Sequence, residues 1–278
     1  MTKPARRPLL QLGELDVELL GAKASDLLLG RFDAAAVRRE LQESGLIEAL
    51  AERGYPELEI AIRAIAGEHR LAVRARRGRV ALVDLRLAEA SSPVDEPLAR
   101  AHGLPVLSVL SVLWLALQHP KGRFTRERPR LPGQRFPGLG LSKPVVLRLL
   151  HWARAWGKDA LVAIPQYYHN AVFYSPIFRF LSPGRQGAFE ALRRDLARLP
   201  LARASAAVEA GCVVCEPSGE PFAWTAGELL VPLTRPLAAH FDSTDYARAV
   251  AESREACRYR FSPPQASHGH RARSSRKL

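Results

Sequence analysis

A chain of 278 residues, 47% hydrophobic and 25% charged, can bury a substantial core and has the composition of a globular protein, not a disordered or fibrous one. Its longest apolar run, 107–117, holds two serines and is too short to span a bilayer, and acids interrupt the region where a secretory signal needs its apolar core. The sequence therefore predicts a cytoplasmic protein without a membrane partner. The net charge of +13 invites a nucleic-acid partner, but more than half of it comes from Lys3, Arg6, Arg7, Arg271, Arg273, Arg276 and Lys277 at the two ends. That distribution predicts nonspecific polyanion contact through basic tails, weakened by salt.

Residues 1–12 read as a flexible lead, 13–261 as one domain and 262–278 as a disordered basic tail. Asp33 is placed to cap a helix in which Val37 and Leu41 share one face, and Gly45 separates it from a second short helix ending at Gly54. Three alternating segments, 57–64, 69–76 and 79–87, predict an antiparallel meander, with Arg77-Gly78 as the turn between the last two. Residues 88–105 read as a polar link that closes the first half of the domain. The apolar segment 106–118 is consistent with a buried helix or a central strand; its length and its late Leu and Ala favour the helix.

Within the second half, 106–261, this segment is followed by a loop, 120–137, with prolines at 129, 132 and 137 and six basic residues against one acid. The loop ends in Arg135-Phe136-Pro137-Gly138-Leu139-Gly140, which runs straight into an amphipathic helix carrying Pro144 in its first turn and closing at Gly157. Bare N–H groups at the positive end of a helix suit a phosphate or pyrophosphate. Trp152 and Trp156 read as core residues of that helix. A buried strand, 160–164, follows, then a helix over about 187–199. Segments 201–214 and 220–233 read as strands joined by the turn 216–219. Cys212 and Cys215 form a lone CxxC with no second pair at zinc spacing, so they read as core thiols and no metal is predicted.

The order helix, helix, three strands, glycine turn, helix, strand, helix, two strands resembles the GNAT acyltransferase superfamily. The residues that carry the resemblance are Arg135-x-x-Gly138-x-Gly140, the helix to Gly157, the strand 160–164, and Asn170-Ala171-Val172-Phe173-Tyr174 with Phe180 beyond. The resemblance implies an α/β fold with a GNAT-like mixed, mostly antiparallel sheet flanked by helices. It implies an acetyl-CoA-dependent N-acyltransferase acting on an unspecified small-molecule or protein amine. Arg135, Phe136, Gly138, Leu139, Gly140, Leu141, Ser142 and Asn170 would hold the cofactor, and Tyr174 would protonate the departing thiolate. His119, Glu127 and His169 stand in the right neighbourhood for the base. Two other readings compete: a GNAT-like module without catalysis that serves regulation or interaction, and a basic nucleic-acid-associated protein.

Overall fold

The Asp33 side chain accepts a hydrogen bond from the Ala36 N–H (2.7 Å) and starts α1 (Ala34–Glu43), which buries Val37 and Leu41. Gly45, at φ +70°, turns the chain into α2 (Leu46–Glu52). The computed structural model to which these elements belong describes residues 26–65 and 67–263. The expected flexible lead, and all but the first two residues of the expected basic tail, lie outside that range.

β1 (Leu58–Ile65), β2 (Glu68–Ala75) and β3 (Ala81–Pro93) form the expected antiparallel meander. The polar link is shorter than its sequence suggests, because β3 continues to Pro93 and α3 (Pro97–Ala101) follows. The apolar segment 106–118 is a strand, not a helix: β4 (Val106–Leu117) lies antiparallel to β3. Its first half is buried on both faces, through Leu107 and Val109 on one side and Leu110 and Val112 on the other, so it carries no alternation for a periodicity argument to find.

Next come α4 (Ser142–Ala155), β5 (Ala160–Ala163), α5 (Tyr168–Tyr174), β6 (Arg179–Phe180) and α6 (Pro183–Asp195). The segment 201–214 is mostly α7 (Leu201–Glu209), not a strand; it is alanine-rich, and Ala204, Ala207 and Val208 are buried at helical spacing. Only Val213–Cys215 (β7) is extended there, and within 220–233 only Leu229–Pro232 (β8). α8 (Arg235–Phe241), α9 (Thr244–Ala256) and β9 (Tyr259–Phe261) complete the described chain. The three cysteines are free thiols, with Cys212 buried. No described helix is long and apolar enough to cross a membrane.

The main sheet is mixed and mostly antiparallel, in the order β1-β2-β3-β4-β5-β8-β6, and among the described strands only β4 and β5 are parallel neighbours. β5 shows how the layers are divided. Leu161 and Ala163 face a core shared with α1, α2 and α4, whereas Ala160 and Val162 face one shared with α3, α8 and α9. Trp152 is buried in the first core, stacked on Phe32 and Trp156, with its Nε1 donating to Glu40 at 2.9 Å.

The second layer depends on a close helix crossing. A Cβ on Gly187 of α6 would meet the Val250 carbonyl oxygen, Ser253 Cβ at 2.6 Å and Arg254 N at 2.8 Å, all on α9. Gly187→Ala is therefore expected to cost about 3 kcal/mol and lower the melting temperature by roughly 5–10 °C. A variant melting with the parent protein would contradict this packing of α6 on α9.

Candidate functional site

The site begins where β4 and β5 part. β5 pairs with β4 only through Val109–Val112, after which Ile164 and Pro165 carry the chain elsewhere. Among the described residues no strand covers the β5-side edge of Leu113–Ala116. Parallel strands that separate within a sheet leave backbone groups free to meet a ligand. Leu113 is the extra residue of a bulge against β3, between Arg86 and Leu87, and bulges re-aim strand ends of this kind.

The loop leaving β4 returns to it. The His119 N–H donates to the Pro137 carbonyl (2.8 Å), the Leu139 N–H donates to Leu117 (3.3 Å), and Gln118 forms a bridge with Gly138. The basic excursion is thus closed at its base, and the glycine turn sits directly against the end of β4. Tyr55 ties the base down: its Oη accepts from the Lys121 N–H (3.1 Å) and lies 2.8 Å from His119 Nδ1. Within the loop, Leu131 N–H and Arg130 Nε donate to the side chain and carbonyl of Gln134, at 3.1 and 2.7 Å.

After the turn, α4 starts without a side-chain cap. The Leu139 N–H is used by Leu117, whereas the N–H groups of Gly140, Leu141, Ser142 and Lys143 have no acceptor among the described residues. Pro144, next in line, has no N–H to satisfy. Gly140 adopts φ +71°, a conformation that a β-branched residue adopts only with strain. The result is a run of open donors at the positive end of a long helix, the arrangement that attracts an anion.

Of these donors, Gly140 and Ser142 border the larger, about 680 Å³, of two cavities that meet at the open half of β4, and its wall also includes Gly138 and Leu139. The loop residues Phe124, Arg126, Glu127 and Arg128 form its lip, and Pro200, Leu201 and Ala202 at the start of α7 form its far side. The smaller cavity, about 370 Å³, is walled by Asp84, Trp114, Gly133, Arg135, Phe136 and Tyr167, among others. Leu115, Leu117, Gln134, His169, Asn170 and Tyr174 line both. The two cavities therefore meet along one wall, made by the open half of β4 and by α5.

Of the residues expected to hold a cofactor, Gly138, Leu139, Gly140, Ser142 and Asn170 border the larger cavity. Arg135 and Phe136 face the smaller one, with the Arg135 guanidinium over the Phe136 ring at 5.3 Å. Leu141 is buried beneath the turn and reaches neither cavity with its side chain. Tyr174 stands on the shared wall; burial pushes its phenol pKa up, so it is protonated at neutral pH, and its Oη has no hydrogen-bond partner among the described residues.

The three candidate bases separate. His119 lines neither cavity and serves the loop closure, with its pKa lowered by burial and by the Arg53 and Lys121 charges. Glu127 is fully exposed at the lip, where hydrogen bonds to its own N–H and to Thr125 lower its pKa. His169 is on the shared wall, stacked on Tyr167 with Nδ1 2.8 Å from Ser205 Oγ on α7, and burial lowers its pKa to about 4.

Sequence reasoning missed Trp114, Tyr167 and Gln134 as wall residues. Trp114 had a signal, an aromatic residue at the end of an apolar run, and it is 44% exposed. Tyr167 is set by the loop packed on it: a Cβ on Gly133, which has φ +73°, would lie 2.6 Å from the Tyr167 hydroxyl. Nothing local to either residue announces that contact.

His169 also makes stability depend on pH. The folded state holds it neutral while the unfolded chain takes up a proton near pH 6.5, so its contribution is full above about 6.5 and is lost as pH falls towards about 4. His69 and His240, also lowered by burial, add with the same sign. Urea unfolding at about pH 7.5 and about pH 4.5 should show a drop in stability that shrinks by roughly 2–3 kcal/mol in His169→Gln. An equal drop in both proteins would contradict the buried neutral imidazole.

No protein-family model matches the chain, and neither a curated protein nor a solved structure matches it.

Proposed function

We propose that the protein is an acyl-CoA-dependent N-acyltransferase, with the acetyl-CoA donor in the larger cavity and the amine acceptor entering through the smaller one. The observation that carries this reading is the junction of the two cavities: the uncapped start of α4 borders one, and Tyr174 stands on the wall they share. The open N–H groups of Gly140 to Lys143 hold the donor's pyrophosphate, as the resemblance to the GNAT superfamily implies. A free backbone N–H on the unpaired stretch Leu113–Ala116 of β4 polarises the thioester carbonyl.

The acceptor nitrogen then attacks the carbonyl carbon and forms the C–N bond. The C–S bond breaks with its electron pair on sulfur, and Tyr174 gives its phenolic proton to that thiolate. The proton lost by the amine passes to solvent, through which the phenolate is reprotonated. His169 is a poor proton acceptor for this step, since its pKa lies well below neutrality. Steady-state release of free CoA thiol, measured with acetyl-CoA and a panel of polyamines, aminoglycosides and peptide amines, tests the reading. Amine-dependent release is expected, and its absence across a panel of donors and acceptors would count against it.

The low basicity of His169 favours one alternative, a regulatory module of the same shape that binds CoA without turnover. It predicts saturable binding of acetyl-CoA with no amine-dependent thiol release.

A further inference from the structure

The basic loop between β4 and the glycine turn carries Lys121, Arg123, Arg126, Arg128, Arg130 and Arg135, and three of the six have internal tasks. Lys121 Nζ donates to the Gly54 carbonyl and lies over the Tyr55 ring, Arg130 holds Gln134, and Arg135 covers Phe136. The side chains of Arg126 and Arg128 have no acid, carbonyl or ring partner among the described residues, and both line the larger cavity. Arg123 is also unpartnered but lies outside that cavity. Glu127 sits between the two arginines, with its carboxylate bonded to its own N–H and to Thr125. Phe124, on the same lip, has no aromatic partner among the described residues.

We infer that Arg126 and Arg128 bind a phosphomonoester, the 3′-phosphate of the CoA donor, and that this lip sets the protein's preference for CoA over its 3′-dephospho form. The inference rests on the acyl-CoA reading above. A ligand whose pyrophosphate lies at the start of α4 extends its 3′-phosphoadenosine end towards the cavity's rim, and these arginines are on that rim. A phosphomonoester carries close to two negative charges near neutral pH and offers three acceptor oxygens, which two guanidinium groups meet with paired N–H donors. The Phe124 ring gives the neighbouring adenine a face to stack on. Because Glu127 opposes an anion at the same lip, both arginines are needed, and a single one is largely cancelled.

Calorimetric titration of the full chain with CoA and with 3′-dephospho-CoA, at about 150 mM salt to suppress long-range attraction, tests this directly. The parent protein should bind CoA about tenfold or more tightly than 3′-dephospho-CoA. Arg126→Ala/Arg128→Ala should bind both ligands alike, at the parent's affinity for 3′-dephospho-CoA. Arg123→Ala removes a loop charge outside the cavity and should keep the parent's ratio. Equal binding of the two ligands by the parent overturns the inference and leaves the acyltransferase reading standing. A ratio that survives in the double variant, or that Arg123→Ala erases equally, also overturns it. Binding of neither ligand removes the acyl-CoA reading first, and this inference with it.

Discussion

Gly138→Val is expected to abolish the rise in melting temperature caused by acetyl-CoA while leaving the ligand-free protein folded. Gly138 faces the larger cavity at a backbone conformation open to other residues, and a Cβ there would have only the Leu117 carbonyl oxygen near it, at 3.8 Å. The valine side chain therefore enters space at the cavity wall without a clash inside the protein. Since Gly138 borders the open N–H groups of α4, the branched side chain keeps a pyrophosphate from reaching them, and binding should weaken more than tenfold. Gly140→Val tests a different effect. There φ is +71°, so a β-branched residue strains the turn and lowers the ligand-free melting temperature as well, by roughly 1–2 kcal/mol of stability. Unchanged acetyl-CoA binding by Gly138→Val would contradict the placement of the donor.

Tyr174→Phe is expected to lower kcat by about 100-fold or more, with the KM for acetyl-CoA within roughly twofold of the parent. The ring packs against Phe178 at 5.4 Å and the substitution keeps that contact. The hydroxyl has no partner to lose among the described residues, so the melting temperature should stay within about 2 °C. A purely structural tyrosine would show neither the fall in kcat nor its separation from KM. Because burial raises the phenol pKa, the activity that depends on this proton should persist above pH 10, the ordinary phenol value, before it falls. Equal kcat in the two proteins would leave the thiolate without its assigned proton donor.

The local parts of this architecture are legible in the sequence because they are marked by residues with strong backbone preferences. Asp33 caps α1, glycine and proline bracket α4, and the alternation along β1 and along Val83–Ala88 of β3 matches alternating burial. β4 is not legible in that way, since a strand buried on both faces and a buried helix leave the same apolar run. α7 misleads for a different reason: its alanines precede the truly extended Val213–Cys215, and the strand-forming residues colour the whole segment. Signals for α8 and α9 were present, in Pro236 in the first turn of one and in Ser243 capping the other through the Tyr246 N–H at 3.1 Å.

The site divides in the same way. The glycine turn and Tyr174 are close enough in sequence to be read together. The contact between His169 and Ser205, the return of the basic loop to the end of β4, and the seat of Gly133 on Tyr167 join residues far apart or held by loop geometry. No periodicity encodes such contacts, which follow from the sheet order once the strands are assembled. Arg135 shows the limit of a motif read alone: it stands three residues before Gly138, yet the loop turns it to the smaller cavity.

The thermal melt of the purified protein against increasing acetyl-CoA bears most directly on the proposed function. A ligand that binds only the folded state raises the midpoint once its concentration passes its dissociation constant, by an amount equivalent to about 2.7 kcal/mol at a hundredfold excess. The account predicts a saturable rise with acetyl-CoA and with CoA, absent in Gly138→Val. A midpoint that does not move up to millimolar acetyl-CoA would contradict it, leaving the two cavities and their shared wall without the donor assigned to them.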